Sequence, residues 1–184
     1  KELISEEQQI YTSGMRKEKE RVQKAIDYAN QGKSCALISS GDPGVYGMAG
    51  LALEMVEKQK INLKTEIIPG ITAANAAAAV LGAPLMHDYT VISLSDILTP
   101  WDLIKKRLEA AAAADFITTL YNPRSSRRKK QLKKAREIFL EYRSPETPVG
   151  IVRSVGRDQE EIMISTLKKM PLEKVDMLTT VISG

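Results

Sequence analysis

Apolar residues recur along the first half of the chain at spacings that predict alternating helices and strands. Around residues 15–30, apolar residues such as Val22 and Ile26 fall on one face of a helix, and Gly32 is a typical terminator. The run CALISS, by contrast, has the composition of a strand that is buried on both faces. The predicted elements are helices over about 15–30, 45–58 and 71–82, and strands over 35–40 and 65–70.

The second half of the chain continues the alternation but loses its strict order. Two predicted strands, over 147–156 and 160–166, are separated by only a few residues, which suits an antiparallel hairpin. One helix is expected to begin with Thr99 as its N-cap and Pro100 as its first residue. The other predicted elements are strands over 89–93, 115–122 and 176–183, and helices over about 99–112 and 126–142.

Together these elements predict an α/β protein of two domains, with a junction between Gly82 and Asp96. The first domain, residues 1–88, has the β-α-β-α order of a parallel sheet covered by helices. The second domain, residues 89–184, is expected to have a mixed sheet because it contains the hairpin. The chain opens on the polar stretch KELISEEQQIYTSGMRKE, so the first strand of the parallel domain is expected to be missing.

Composition excludes several classes of function. The chain has 184 residues, 43% of them hydrophobic, and its net charge of +4 is too small to indicate nucleic-acid binding. It shows no apolar run of membrane-spanning length, and we expect no signal peptide because no such pattern opens the chain. The single cysteine, Cys35, predicts a reducing, cytoplasmic location, and the single histidine, His87, disfavours a metal site or a Ser-His-Asp triad. We therefore expect no metal and no nucleic-acid or membrane partner.

The stretch SSGDPGVYGMAG, residues 39–50, places an acidic turn and several glycines after the first predicted strand. One interpretation is structural, because Asp-Pro-Gly makes a tight turn between a strand and a helix. The other is functional, because ligands bind outside the carboxyl ends of parallel strands, where glycines let the backbone come close. The residues of this stretch alone do not decide between the two.

Basic residues cluster in RSSRRKKQLKK, residues 124–134. One interpretation is a solvated helix face, since Leu132 and Ala135 begin an apolar stripe on the opposite side. The other is that arginines near the end of the preceding strand bind the carboxylates of an acidic ligand. The candidates are Arg124 and its neighbours in this run.

Several long segments together resemble the tetrapyrrole (corrin and porphyrin) methylases. They span the chain from Gly14 to Ser183 and read GMRKEKERVQKAIDYA, SSGDPGVYGMAGLALE, IIPGITAANAAAAVLGAPLMHDY, ISLSDILTPWDLIKKRLEAAAAADF, LYNPRSSRR and TPVGIVRSVGRDQEE. The GDP turn is common to the whole family. The blocks SSGDPGVYGMAG, SLSDILTPW and LYNPRS resemble more specifically the branch that methylates C17 of the corrin ring.

The resemblance implies a two-domain fold that binds S-adenosylmethionine in the cleft between its domains, and it also implies a homodimer. The residues carried over to the cofactor are Asp42, Val45, Thr72, Ala73, Tyr121, Asn122 and Val155. Asp42 is expected to offset the sulfonium charge or to accept hydrogen bonds from the ribose or amino group. The residues expected to contact the substrate are Gly44, Tyr46, Arg124 and Arg153, while Gly41, Gly44 and Gly47 would leave room for a flat macrocycle.

The implied reaction is methylation of C17 of precorrin-3B or cobalt-precorrin-3 in cobalamin biosynthesis, linked to contraction of the macrocycle. Such a reaction depends on proximity and alignment more than on a nucleophilic side chain, because the substrate supplies the nucleophile. No catalytic side chain is assigned. Two alternatives stay open: a methylase that acts on C11 or C20, and a truncated form that binds a ligand without catalysis. The Gly-rich turn after the family's first strand has no counterpart in the sequence.

Overall fold

The computed structural model of the chain describes residues 4–5, 7–14 and 17–184. These residues form two compact units, of which the first ends at Thr72 and the second covers Ala73–Gly184. Within the described residues, the first unit contains two α-helices, and the second contains three α-helices and a five-stranded sheet. No helix in these ranges combines the length and the apolar character needed to cross a membrane.

Two amphipathic helices, α1 (Glu18–Asn30) and α2 (Ala49–Lys58), pack against each other in the first unit. On α1, Val22 and Ile26 are buried, one helical turn apart on the same face. The helix ends shortly before Gly32, which takes a left-handed backbone with φ 79°, so the predicted terminator is confirmed. The predicted beginning of this helix at residue 15 lies outside the described residues.

The two strands predicted in the first unit, over 35–40 and 65–70, are not present in the structure. Neither segment pairs with another strand among the described residues, and Ile38 and Ile68 within them are 76% and 72% exposed. A strand is stable only when a neighbour pairs with its N–H and C=O groups and covers its side chains. The apolar composition of these segments indicates a strand, but composition cannot supply the pairing partner.

All strands of the described residues lie in the second unit and form one mixed sheet. They are β1 (Tyr89–Ser93), β2 (Ile117–Tyr121), β3 (Pro148–Arg153), β4 (Glu161–Thr166) and β5 (Thr179–Ser183), in the spatial order β1-β2-β5-β3-β4. β1 and β2 are parallel, and the other neighbouring pairs are antiparallel. The predicted mixed sheet and the predicted β3–β4 hairpin are therefore confirmed. The sequence does not predict the insertion of β5 between β2 and β3.

Helices cover both faces of this sheet: α4 (Trp101–Ala113) and α5 (Gln131–Tyr142) pack on one face, and α3 (Ala73–Val80) packs on the other. Successive residues of a strand point to opposite faces, so Val181 joins the cluster under α4 and α5 while Ile182 joins the cluster under α3. The larger cluster includes Ile92, Ile104, Leu108, Leu120, Ile138, Phe139, Val149 and Ile151. The smaller cluster contains Ala77, Ala78, Val152 and Ile182.

The beginnings of α4 and α5 differ from their predicted positions. The predictions of Thr99 as N-cap and Pro100 as first helical residue are wrong: Pro100 is the N-cap of α4, with φ −57° and ψ 143°. α5 begins at Gln131 rather than near Ser126, because a closed turn precedes it. In that turn the N–H of Arg128 donates to Oγ of Ser125 at 3.0 Å, and the N–H of Ser125 donates to the Arg128 carbonyl at 3.0 Å.

The boundary between the compact units does not coincide with the predicted domain junction. Packing divides the chain after Thr72, since α3 packs on the sheet of the second unit. The sequence places the junction between Gly82 and Asp96, with domains over 1–88 and 89–184. A domain is an evolutionary and functional unit as well as a unit of packing, so the boundary at 88/89 stays a prediction.

We expect Leu108→Ala to lower the free energy of unfolding by about 2–5 kcal/mol, because its loss leaves a cavity in the core. Leu108 is fully buried in α4, whereas Leu103 on the same helix is 42% exposed. The matched change Leu103→Ala should therefore cost less than about 1 kcal/mol. Urea unfolding followed by circular dichroism measures both variants. Equal losses would show that the inner face of α4 is wrongly assigned.

Candidate functional site

The carboxyl ends of three strands meet at one edge of the sheet in the second unit. Ser93, the last residue of β1, pairs with Tyr121, the last residue of β2. β3 runs parallel to β2 because β5 is antiparallel to both, and Val181 of β5 pairs with Leu120 on one side and Ile151 on the other. The segments that follow β1, β2 and β3 therefore leave the sheet along the same edge, where open α/β sheets bind ligands.

Asn122 follows β2 at this edge in a left-handed backbone conformation, with φ 51°. Asparagine tolerates this conformation better than most residues, although it still needs support from its surroundings. Nδ2 of Asn122 donates to Oγ of Ser93 at 3.0 Å. The same hydroxyl oxygen accepts the N–H of Ser95 at 3.2 Å. The predicted cofactor residue Asn122 is thus tied to the end of β1.

Tyr121 and Val155 lie on the side of the sheet that α3 covers. The hydroxyl oxygen of Tyr121 accepts the N–H of Ala74 at 2.7 Å, and this satisfies one of the free amides in the first turn of α3. Val155, just after β3, packs against the small cluster under α3. Three predicted cofactor residues, Ala73, Tyr121 and Val155, are therefore associated with one helix, and Tyr121 also acts as its cap.

Arg128 is a residue of this edge that the sequence does not single out. It is only 4% exposed, and burial lowers the pKa of its guanidinium. Nε donates to the carbonyl of Asn122 at 2.9 Å, and Nη1 to Oγ of Ser95 at 3.3 Å. Nη2 donates to Sδ of Met177 at 3.2 Å. Arg128 belongs to a run of basic residues, and nothing in that run distinguishes the buried arginine from its solvated neighbours.

The two arginines predicted to bind substrate carboxylates have hydrogen-bond partners within the chain. Nη1 of Arg124 donates to the carbonyl of Leu172 at 2.7 Å. Nε of Arg153 donates to Oδ2 of Asp176 at 2.8 Å, and this hydrogen bond raises the pKa of Arg153. Nη1 of Arg153 also lies 3.5 Å from Oε1 of Glu161. A substrate carboxylate would have to share or displace these partners, so the substrate role of both arginines stays a prediction.

In the first unit, the carboxylate of Asp42 joins two turns. Oδ1 accepts the N–H of Gly44 at 2.7 Å, and Oδ2 accepts the N–H of Gly70 at 3.0 Å. These hydrogen bonds, with the one from Gly70 contributing most, lower the pKa of Asp42 and keep its charge. The structural interpretation of the acidic turn is therefore supported by geometry, while its cofactor role stays a prediction. The backbone amide of Val45 also helps to lower this pKa, and a carboxylate with about four acceptor sites can still accept a further donor.

The glycines around this turn are needed by the protein backbone itself. Gly41 has a left-handed backbone with φ 76°, and a side chain at Gly70 would overlap the Gly41 carbonyl. A side chain at Gly47 would overlap the carbonyl of Pro43. We expected Gly41, Gly44 and Gly47 to leave room for a macrocycle, but the space that a Cβ would take at Gly47 is filled by the chain.

Val45 and Tyr46, which follow this turn, are 38% and 59% exposed. Tyr46 has a left-handed backbone with φ 53°, which is unusual for a bulky residue because its Cβ is crowded there. Backbone strain of this kind is concentrated at functional sites. Thr72, predicted beside the methionine part of the cofactor, is partly buried at the end of the first unit. The roles of all three residues stay predictions.

Comparison with known proteins identifies the family. The family model described as "Tetrapyrrole (Corrin/Porphyrin) Methylases" matches residues 2–171. The chain belongs to this family. The resemblance inferred from the sequence motifs is confirmed, and so is the fold class that it implied.

Two curated relatives and one solved structure illustrate the likeness. A protein of Salmonella typhimurium named "Probable cobalt-factor III C(17)-methyltransferase" is 52% identical over 178 residues, which make up 97% of this chain and 74% of that protein. The "Cobalt-factor III methyltransferase" of Priestia megaterium is 54% identical over 181 residues, 96% of this chain and 34% of that protein. The crystal structure of the methyltransferase CobJ matches with a TM-score of 0.90 at 38% identity, covering 95% of this chain and 74% of that one. This tetrapyrrole methylase chain thus spans 34% of the Priestia protein and 74% of the other two.

We expect Asp42→Ala to speed hydrogen exchange at the amides of Gly44 and Gly70, since both lose their carboxylate acceptor. The interior of α2 should keep its protection, because its helical hydrogen bonds do not involve Asp42. Exchange followed by NMR or mass spectrometry measures the effect. Glu57→Ala, which removes an exposed carboxylate on α2, is the control and should change neither amide. Unchanged exchange at both glycine amides would show that the Asp42 carboxylate does not join the two turns by hydrogen bonds.

The same two hydrogen bonds predict a dependence on pH. They hold the pKa of Asp42 below its ordinary value, so their stabilisation is fully present above the unfolded carboxyl pKa of about 3.9. It should be lost as the pH falls through the lower pKa of the folded state. Protection of the Gly44 and Gly70 amides, corrected for intrinsic exchange, should follow this course in the wild type. Asp42→Asn cannot titrate and should abolish the dependence, and a wild type with no dependence would contradict the prediction.

Proposed function

We propose that the chain is an S-adenosylmethionine-dependent C-methyltransferase of cobalamin biosynthesis that methylates C17 of a corrin precursor. The observation that carries the proposal is the 52% identity, over 97% of the chain, to a relative named as a C(17)-methyltransferase. Membership of the tetrapyrrole methylases supports methyl transfer as the reaction. Because the chain spans only part of each relative, the activity of the whole protein belongs to the proposal.

The chemistry of the described residues fits S-adenosylmethionine, which supplies, when bound, a methyl group activated on a cationic sulfonium. At the strand-end edge of the second unit, Asn122 and Ser93 offer amide and hydroxyl groups suited to a nucleoside. In the first unit, Asp42 carries a negative charge, and a carboxylate with about four acceptor sites can accept one more donor besides the backbone amides of Gly70, Gly44 and Val45. Each set of groups by itself matches a chemical feature of S-adenosylmethionine: the amide and hydroxyl groups match its nucleoside, and the carboxylate matches its cationic sulfonium or amino group.

The proposed chemical step is an in-line displacement, in which C17 bonds to the methyl carbon while the carbon–sulfur bond breaks and its electron pair stays on sulfur. The substrate supplies the nucleophile, so the contribution of the protein is alignment. The end of β2 suits this task, because the ladder with β1 fixes Tyr121 and the hydrogen bond to Ser93 fixes Asn122. We assign no side chain to proton transfer during the ring contraction.

The names of the relatives favour a cobalt-bearing substrate over cobalt-free precorrin-3B. Arg124 and Arg153 are the proposed contacts to substrate carboxylates, each sharing its guanidinium with the partner it already has in the chain. Gly44 and Tyr46 are the proposed contacts to the ring. The exposure of Tyr46 supports this role, because an exposed aromatic ring can stack on a planar ligand.

We further propose that the protein is a cytoplasmic homodimer whose small-molecule partners are S-adenosylmethionine and a tetrapyrrole. The dimer rests on the family resemblance, and the location rests on the single cysteine. Light scattering coupled to gel filtration tests the dimer, and a mass equal to that of one chain would refute it.

Turnover by the full-length protein tests the proposed reaction. Incubation with S-adenosylmethionine and either a cobalt-bearing or a cobalt-free substrate should yield a product heavier by one methyl group, with that group on C17 by NMR. A methyl group on C11 or C20 would assign the chain to another branch of the family. Binding of S-adenosylhomocysteine without turnover would favour a ligand-binding protein, and no binding at all would contradict the proposal.

We expect Tyr46→Gly to raise the KM for the tetrapyrrole by about fivefold to tenfold, the size of one lost aromatic contact. Stability should be unchanged or slightly higher, because glycine adopts φ 53° without strain. Tyr46→Ala removes the same ring but keeps the strain, so its KM should rise equally while its melting temperature falls below that of Tyr46→Gly. Tyr142→Ala, which removes a ring that is 50% exposed on α5, is the control for KM. An unchanged KM in both Tyr46 variants would remove this residue from the site.

A further inference from the structure

Arg128 connects three segments at the strand-end edge of the second unit. Its hydrogen-bond partners are Asn122 after β2, Ser95 after β1 and Met177 before β5. β1, β2 and β5 are consecutive neighbours in the sheet. One guanidinium group therefore links the ends of three adjacent strands.

We propose that Arg128 is a positioning residue for the cofactor, which holds Asn122 in its left-handed conformation and thereby sets the affinity for S-adenosylmethionine. The proposal rests on the proposed function, because Asn122 is one of its cofactor contacts. At 4% exposure Arg128 is covered by the protein, so it acts through Asn122 and does not touch the cofactor itself.

Two hydrogen bonds act on Asn122 from different directions. Ser93 accepts from its side-chain amide at 3.0 Å, and Arg128 donates to its backbone carbonyl at 2.9 Å. The first fixes the side chain, while the second fixes the peptide plane that follows. A φ of 51° is sparsely populated, and it persists only where surrounding contacts favour it over ordinary backbone conformations. Loss of the Arg128 donor releases the backbone even when the contact to Ser93 remains.

The geometry requires an arginine at this position. The guanidinium is planar and directs its N–H groups along fixed lines, and at Arg128 the Nε, Nη1 and Nη2 groups each reach a different segment. Lysine keeps the positive charge, but its single ammonium group cannot reproduce that fork. Arg128→Lys is therefore the variant that removes positioning while it preserves charge.

Arg143 provides a matched control. It is also buried, at 8% exposure, and burial lowers the pKa of its guanidinium as it does for Arg128. It donates to the carbonyls of Gly184 at 2.7 Å and Phe116 at 2.5 Å. Phe116 precedes β2 and Gly184 follows β5, so this second buried arginine joins segments at the opposite edge of the sheet.

The experiment compares Arg128→Lys with Arg143→Lys in the full-length protein. Calorimetry gives the Kd of S-adenosylhomocysteine, and circular dichroism gives the melting temperature. We expect both variants to melt at lower temperature, because both lose buried hydrogen bonds. The Kd should rise about tenfold for Arg128→Lys, as for loss of a charge-assisted hydrogen bond, and change less than about twofold for Arg143→Lys.

Turnover kinetics distinguish a positioning role from a purely structural one, because the two roles affect KM and kcat differently. Arg128→Lys should raise the KM for S-adenosylmethionine by a larger factor than it lowers kcat at saturating cofactor. Loss of folded protein would instead lower the apparent kcat and leave the KM unchanged. This split in the kinetics separates positioning from stability.

A Kd unchanged in Arg128→Lys, or raised equally in both variants, overturns the proposal. If Arg128→Lys does not fold, Ser95→Ala tests the proposal in its place. This variant removes one hydrogen-bond acceptor of Arg128 and keeps the arginine. Ser95→Ala should raise the Kd of S-adenosylhomocysteine about threefold, less than the rise expected for Arg128→Lys, because only one of its hydrogen bonds is lost. An unchanged Kd in Ser95→Ala overturns the proposal. A wild-type protein that binds no S-adenosylhomocysteine overturns the proposed function together with this inference, whereas an effect missing only in the variants overturns the inference alone.

Discussion

The insertion of β5 between β2 and β3 is the constraint on which the second unit depends. All five residues of β5 are buried, and Val181 pairs with Leu120 on one side and Ile151 on the other. Because β5 is antiparallel to both neighbours, β2 and β3 run in the same direction across it. The β3–β4 hairpin is thereby joined to the β1–β2 pair, and three strands end at the same edge. This edge therefore brings together residues that are distant in the chain.

Polar contacts then give that edge a defined shape. Arg128 and Ser93 hold Asn122, Tyr121 caps α3, and Arg153 pairs with Asp176. For a reaction that needs alignment more than an attacking side chain, such fixed positions are the main contribution that a protein can make. The proposed function and the proposed role of Arg128 both draw on this property of the strand ends.

In the first unit, Asp42 illustrates how one residue can serve structure and ligand binding together. Its carboxylate joins two turns through the amides of Gly44 and Gly70, and the same hydrogen bonds keep it charged. A sequence motif shared by a family does not separate these two uses, because both require an acidic residue at the same place in a tight turn. Measurements of amide exchange and of cofactor affinity on the same variant distinguish them.

The sequence by itself determined the kind of most elements and the family. Strand β1 covers the predicted residues 89–93, the β3–β4 hairpin is present, and α1 ends before Gly32. These features depend on residues close together in the chain, through apolar periodicity and turn chemistry, so a short window of sequence contains their cause. The long motifs added the family, which the match over residues 2–171 confirms.

Only the tertiary structure decided the strand order, the burial of Arg128 and the partners of Arg124 and Arg153. It also decided that residues 35–40 and 65–70 do not form strands, because strand pairing requires a neighbour that local composition cannot provide. For the candidate site, sequence motifs predicted Asn122 but not the arginine that holds it. The reason is physical: burial and hydrogen bonding are set by residues that are distant in the chain and near in space, and no local pattern records them.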